Sequence, residues 1–395
     1  MQTVERETTR EEPAQPKAAL PEPLRSFDEL DLSEPLARAL DEMGYDGPTE
    51  IQAVAIPVLL SGRDVVGQAQ TGTGKTAAFG IPMIEMLDPE LVEVQAIVLA
   101  PTRELALQIS KEIAKIGAHT GLRLATIYGG APMSKQLVEL QRGAQVVVGT
   151  PGRILDLISR GALNLREVRF LVLDEADRML DMGFMPDVEK ILRRTPRSRQ
   201  TALFSATIPT VVKIMARRHM RDAQTIQVRP EERTVAEVDQ IYYEVAERDK
   251  LEALLRVLDE QKPERAMIFC RTQYAVDRLT RVLRSRGVPV EAIHGSMGQN
   301  QRERTMADFR RGDLTLLVAT NVAARGLDIP EVSHVVNYDI PEEGESYIHR
   351  IGRTARAGRT GVAITFVAEW DEKAFREINK AVKGAIRPER LSLYG

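Results

Sequence analysis

The stretch DVVGQAQTGTGKTAAFGIPMIEML, Asp64 to Leu87, decides the fold. It begins as an apolar strand, passes through AQTGTGKT (Ala69–Thr76) and continues in residues compatible with a helix. Strand, glycine-rich turn and helix in that order fit the phosphate-loop pattern G-x-x-x-x-G-K-T, with Ala69 standing where the first glycine is usual. Gly72 and Gly74 still let the backbone curl so that its N–H groups face a phosphate chain. In that geometry Thr71, Gly72, Thr73 and Gly74 line the turn. Lys75 reaches the β and γ phosphates, Thr76 sits at a magnesium ion, and the helix N-terminus adds partial positive charge.

Working outward, short apolar runs alternate with longer helical stretches from Phe27 onward. The runs are DVVGQA, AIVLA, LATIY, QVVVG, FLVLD and TALFS, followed by IYYEV, AMIFC, VEAIH, TLLVA, HVVNY and AITFV. Continuous apolar strands are buried on both faces, and the helices between them supply crossovers, so the expectation is α/β, with mainly parallel sheets flanked by helices. Two groups of six runs predict two domains, 26–228 and 238–395. They are joined by a polar linker over 229–237 (RPEERTVAE) and preceded by a mobile leader over 1–25 that is rich in charge and proline. A chain of 395 residues is long enough for two such cores. No 20–50-residue repeat is evident, which argues against a solenoid.

Composition narrows the class further. Hydrophobic residues are 43% and charged residues 28%, as in ordinary globular proteins. Cys270 is the single cysteine, so an intramolecular disulfide and a Cys-rich zinc site are excluded. No apolar run approaches the ~20 residues of a membrane span, and the N-terminus has no secretory pattern, so a cytoplasmic protein is expected. With 54 basic and 57 acidic residues the net charge is −3, and any nucleic-acid surface must be local.

The run FLVLDEAD, Phe170 to Asp177, ends in adjacent acids at the carboxyl edge of a strand, where open α/β sheets bind ligands. Successive residues there diverge, so the two carboxylates can take different roles. Asp174 would hold magnesium through its hydration shell, and Glu175 would orient and deprotonate an attacking water. Alone, such a pair is as a rule a helix cap or a solvated turn. Together with the phosphate loop about one hundred residues earlier, it points to ATP hydrolysis.

Asp174-Glu175-Ala176-Asp177 resembles the signature of the DEAD-box RNA helicases, and further motifs follow the family's order from Phe27 to about Arg359. The resemblance implies two tandem RecA-like domains, ATP and Mg2+ as cofactors, and RNA as partner. GYDGPTEIQ resembles the Q motif. Gln52 would read adenine, since an amide donates and accepts at once, and Phe27 would stack on the base. Pro101, Thr102 and Arg103, the pair Gly129-Gly130, and Thr150, Pro151, Gly152 and Arg153 are implied to face RNA through sugar and phosphate. Arg271, Gly295, Arg304 and Thr320 are implied to do the same from the second domain. Ser205, Ala206 and Thr207 resemble the motif that couples nucleotide state to RNA, joined by His349 and Arg350. Arg353 and Arg356 correspond to the arginine fingers, charged planar forks that grip a γ-phosphate, and Asp328 to a ribose contact.

The implied activity is an RNA-dependent ATPase that locally unwinds short duplexes or remodels ribonucleoproteins by closing the cleft between its domains. Single strands and short duplexes would be bound without reading sequence, by a monomer. A DNA translocase and an ATP-gated RNA clamp without useful turnover remain open alternatives. No protein partner and no particular RNA can be named.

Overall fold

The computed structural model describes residues 21–70, 72–228, 238–321, 332–354 and 361–392. The leader expected over 1–25 lies outside these residues up to position 20, and the linker expected over 229–237 lies outside them entirely. Leu24, within the expected leader, already donates its N–H to the Ala53 carbonyl at 2.9 Å and packs on the first core.

The first sheet contains β1 (Val65–Gln68), β2 (Ala96–Leu99), β3 (Leu124–Ile127), β4 (Val146–Gly149), β5 (Phe170–Asp174), β6 (Gln200–Ser205) and β7 (Gln224–Gln227), in the order β3-β4-β2-β5-β6-β1-β7. The second contains β8 (Val238–Glu244), β9 (Ala266–Cys270), β10 (Val290–Ile293), β11 (Leu316–Thr320), β12 (His334–Asn337), β13 (Gly361–Val367) and β14 (Arg387–Pro388), ordered β10-β11-β9-β12-β13-β8-β14. Every described pairing is parallel.

Alternation explains why these runs are apolar throughout. In β5, Phe170 and Val172 enter one hydrophobic cluster, while Leu171 and Leu173 enter another on the opposite face. β9 divides likewise, with Ala266, Ile268 and Cys270 on one side and Met267 and Phe269 on the other. Successive side chains of a strand point to opposite faces, and helices cover both.

All twelve expected runs are strands. β7 and β14 were not expected, because both are edge strands with little to bury. QTIQ buries only Ile226, and β14 is an exposed Arg-Pro pair; proline is tolerated at an edge because it has no N–H to leave unpaired.

The parallel arrangement brings the carboxyl ends of the strands to one side of each sheet. In the first sheet that edge carries the phosphate loop after β1, Pro101 after β2, the glycine pair after β3, Thr150 after β4, Asp174 at the end of β5 and Ser205 at the end of β6. The sequence-distant motifs therefore share one rim.

Candidate nucleotide and RNA site

The phosphate loop leaves β1 and enters the helix Lys75–Glu85. Gly72 and Gly74 both have φ of 85°, a left-handed conformation that explains why glycine stands there. Lys75 is buried, and its Nζ donates to the Ala69 carbonyl at 3.1 Å, folding back across the loop. Thr76 follows in the first turn. Thr73 Oγ1 donates to the Gln70 carbonyl at 2.8 Å. Thr71 lies outside the described residues.

Gln52 lies behind this loop in the helix Glu50–Leu60. Its Oε1 accepts from the Thr49 N–H at 2.9 Å, and its Nε2 donates to the Gly74 carbonyl at 3.1 Å, while Thr49 Oγ1 donates to the Thr73 carbonyl at 2.8 Å. Each amide group still has one donor or acceptor site to spare, so Gln52 can hold the loop and meet an adenine edge together. Phe27 is half-buried, with its ring 5.6 Å from that of Tyr45 in an edge-to-face arrangement.

Asp174 ends β5 and is 2% exposed. Burial pushes its carboxyl up to about 6, helped by the neighbouring Glu175 charge and opposed by Lys75. A hydroxyl at Thr76 and a carboxylate at Asp174 are the hard oxygen donors magnesium prefers. Among the described residues no cluster of three or more His, Cys, Asp or Glu could hold a metal.

Glu175 caps the helix Ala176–Asp181 with φ 53° and ψ 53°, a left-handed conformation rare for a side chain of this size. Strain of that kind is held by surrounding contacts. Here Glu175 Oε2 pairs with the buried guanidinium of Arg178. Asp177 Oδ2 accepts from the Thr207 N–H at 3.0 Å and from Thr207 Oγ1 at 3.1 Å, and the Asp177 N–H donates to Ser205 Oγ at 3.0 Å. Gln68 Nε2 donates to the Ala206 carbonyl at 3.1 Å. Ser205, Ala206 and Thr207 thus tie the helix that follows the acidic strand to the strand that opens the phosphate loop.

The residues expected to face RNA form a second neighbourhood on the same rim. Thr102 caps the helix Arg103–Ile116, accepting from the Leu105 N–H at 3.2 Å. Gly129, Gly130 and Gly152 are exposed, and no atom lies within 4 Å of where a Cβ would be. Pro151 is buried at the start of its helix, which Thr150 caps. Arg153 Nη1 donates to the Ala131 carbonyl and to Gln136 Oε1, both at 3.2 Å, and Gln136 Nε2 donates to the Tyr128 carbonyl at 2.9 Å. The Arg103 guanidinium lies over the Tyr128 ring, 4.5 Å from its centroid. Tyr128 and Gln136 therefore hold together the loops expected to face RNA. Neither gave a sequence signal, since each acts through partners that only folding brings near.

In the second sheet, Arg271, Gly295 and Thr320 follow or end β9, β10 and β11 on the carboxyl edge. Arg304 is exposed in the helix Gln299–Arg311. Two residues earlier, Arg302 lies 3.4 Å from Glu104 of the first domain, and its neighbour Glu303 lies 2.8 Å from Arg103. This reciprocal pairing was not expected from sequence.

Arg350 is buried. Its Nη1 donates to Asn337 Oδ1 at 2.9 Å and to the Asp339 carbonyl at 2.7 Å, its Nε donates to Asn321 Oδ1 at 2.5 Å, and its guanidinium covers the Phe269 ring. His349 is half-buried beside it in the same helix. Arg353 is 9% exposed, and its carbonyl accepts from the Val332 N–H. Asp328 and Arg356 lie outside the described residues.

A family model for DEAD/DEAH box helicases matches residues 49–215, and one for the helicase conserved C-terminal domain matches 249–358. A DEAD-box ATP-dependent RNA helicase CshA of Bacillus subtilis is 48% identical over 358 residues, covering 91% of this chain and 72% of that protein. One from Geobacillus kaustophilus is 49% identical, covering 91% and 77%. Among solved structures, Saccharomyces cerevisiae Dbp5 bound to RNA and ADP BeF3 superposes with a TM-score of 0.82 at 37% identity, covering 94% of this chain and 96% of that one.

Proposed function

The chain belongs to the DEAD-box ATP-dependent RNA helicases and its two sheets are tandem RecA-like domains, and from that premise we propose how its residues divide the work. It is an RNA-dependent ATPase that uses ATP to separate short RNA duplexes through closure of the two domains. The observation that carries the residue-level reading is the hydrogen-bonded chain from the phosphate-loop strand through Gln68 and Ala206 to Thr207 and Asp177. It supports a direct mechanical link between the nucleotide and the helix that follows the acidic strand.

ATP lies along the phosphate loop, with Thr71, Gly72, Thr73 and Gly74 supplying amides, Lys75 on the outer phosphates, and Gln52 and Phe27 at the base. Thr76 and, partly through water, Asp174 would hold magnesium, which would supply positive charge against the phosphates. That charge would also favour the ionised Asp174 carboxylate that burial alone disfavours. Glu175, oriented by Arg178, takes the proton of the attacking water. Asp328 contacts the ribose, while Arg353 and Arg356 bring guanidinium charge to the γ-phosphate from the second domain. Arg353 is buried in its own domain, so this role requires it to turn outward on closure.

RNA lies across both rims. Pro101, Thr102, Arg103, Gly129, Gly130, Thr150, Pro151, Gly152 and Arg153 contact it from the first domain, and Arg271, Gly295, Arg304 and Thr320 from the second. Exposed glycines allow backbone amides close approach to phosphates, which gives affinity without sequence preference. Ser205, Ala206, Thr207, His349 and Arg350 transmit nucleotide state between the two tracks. The form proposed is a cytoplasmic monomer. Among the described residues no helix is long and apolar enough to cross a membrane, and the single cysteine, Cys270, is buried.

The test compares ATP hydrolysis stimulated by RNA and by DNA of the same sequence. Stimulation by RNA alone is expected, because a 2′-hydroxyl contact is what separates the two. Equal stimulation would overturn RNA as the substrate.

A further inference from the structure

Eight large hydrophobic side chains are exposed among the described residues, and only two are aromatic: Tyr274, 76% exposed, and Trp370, 63% exposed. Neither belongs to a core cluster. Both stand on the carboxyl edge of the second sheet, Tyr274 in the first turn of the helix after β9 and Trp370 in the turn after β13. The sheet order places those two strands on either side of β12, so their ends are two strand spacings, roughly 10 Å, apart.

The ground between them is built and rigid. Asp371, next to Trp370, has Oδ1 at 3.6 Å from Arg271 Nη2 and accepts at Oδ2 from the Ala368 N–H at 3.1 Å. Asp339, at the end of β12, accepts from the Arg271 N–H at 2.9 Å. Underneath, the buried ammonium of Lys250 lies 3.5 Å from Asp339 and 3.9 Å from Asp371. These carboxylates fix the turn that carries Trp370 against the backbone that carries Arg271 and, one helical turn on, Tyr274. Arg271 itself keeps a side chain that is 48% exposed. The cation Arg271 and the rings of Tyr274 and Trp370 are thus all exposed on one edge of the sheet.

We propose that Tyr274 and Trp370 form a stacking platform for unpaired bases of the RNA strand, continuing the track beyond Arg271. The inference rests on the RNA reading of the preceding subsection. Continuity selects this occupant. Gly295, Thr320 and Arg271 follow or end β10, β11 and β9, which are consecutive in the sheet, and Trp370 extends that row by two more strands. The whole row covers four spacings, roughly 19 Å. Contacts along the rest of the track go to sugar and phosphate and leave the bases free. Aromatic faces accept any base, so the platform adds affinity and leaves sequence indifference intact. It also favours the single strand over the duplex, because bases within a duplex are already stacked on their neighbours.

Trp370 is the only tryptophan of the chain, so its emission reports the site directly. The full-length protein is titrated with an oligouridylate in the presence of a non-hydrolysable ATP analogue, and with the same oligonucleotide carrying abasic sugars towards each end in turn. Base-bearing RNA is expected to quench the emission, and one of the two abasic forms to leave it unchanged. Tyr274→Ala and Trp370→Leu are each expected to weaken binding of the full oligonucleotide about tenfold. Trp370→Phe should recover most of that loss, which separates lost stacking from misfolding. Equal quenching by intact and both abasic RNAs overturns the platform, as does unchanged affinity in both variants, which would give the rings to a protein partner instead. RNA that stimulates ATP hydrolysis without altering emission overturns the platform alone. RNA that does neither overturns the RNA reading with it.

Discussion

Glu175 illustrates how much of this enzyme rests on single side chains. Its backbone is left-handed and its carboxylate pairs with Arg178, while the adjacent Asp174 accepts the Glu175 N–H at Oδ1. Two carboxylates on consecutive residues can thereby serve a metal and a water separately. Glu175→Gln keeps the shape and an oxygen for Arg178 but removes the basic lone pair of a carboxylate. Hydrolysis should fall by about 10²–10⁴-fold, while equilibrium binding of labelled ATP and RNA persists; a variant that turns over normally would remove Glu175 as the base. The acidic pair and Lys75 were legible in sequence because their chemistry depends on covalent neighbours: a strand end, a glycine turn, a helix start. Arg178, Tyr128 and Gln136 were not, although they hold Glu175, Arg103 and Arg153 in place. Their types and spacings are ordinary, and their roles exist only through partners supplied by folding. Arg302 was missed for the same reason. Arg304, implied to face RNA, has the same charge two positions later, and only the helix's orientation selects Arg302 to face Glu104.

At the scale of elements, the ten interior strands were legible because a strand buried on both faces must be apolar at every position. The edges β3 and β10 were legible too, since each buries apolar side chains, while the edges β7 and β14 were not, having little to bury and resembling loops in composition. Close approach between strands left a quieter trace. Gly149 ends β4, and a Cβ built there would lie 2.1 Å from the backbone carbonyl oxygen of Ile127 on β3. A backbone oxygen cannot rotate aside as a side-chain tip can, so Gly149→Ala must push β3 and β4 apart. That costs about 1–3 kcal/mol, and for a domain of roughly 200 residues the first-domain melting temperature should fall by about 2–10 °C. Calorimetry measures this, and an unchanged transition would mean that the strand ends yield freely. Because Thr150 follows immediately, RNA-stimulated hydrolysis should weaken even at temperatures where the domain remains folded.

Across the whole molecule the decisive quantity is how cheaply the two domains can come together and separate. The paired residues Arg103 and Glu104 at the start of one helix face Glu303 and Arg302 at the start of another, with opposite charges matched crosswise. The Arg103–Glu303 side chains are 20% and 49% exposed and the Arg302–Glu104 side chains 16% and 19%, which sets these partly exposed pairs near the upper end of the about 0.2–1 kcal/mol of surface pairs, at or below the 1–3 kcal/mol typical of coupling between ligand sites. They are therefore strong enough to bias closure and too weak to hold the cleft shut once ATP is spent. The net charge of −3 acts in the same direction, because a chain without a basic excess gains little long-range attraction for RNA and depends on the closed rim for affinity. Reversing one partner tests this. Arg302→Glu sets two carboxylates against each other across the cleft, and the RNA concentration giving half-maximal ATPase stimulation should rise about 3–10-fold, the effect of roughly 0.7–1.4 kcal/mol of lost and reversed pairing. Adding Glu104→Arg restores opposite charges in exchanged positions and should recover a large part of the loss, with a coupling term that shrinks as salt is raised. A double variant no better than the sum of its single variants would show that the two helix starts do not meet during the cycle, and closure would then depend on nucleotide and RNA alone.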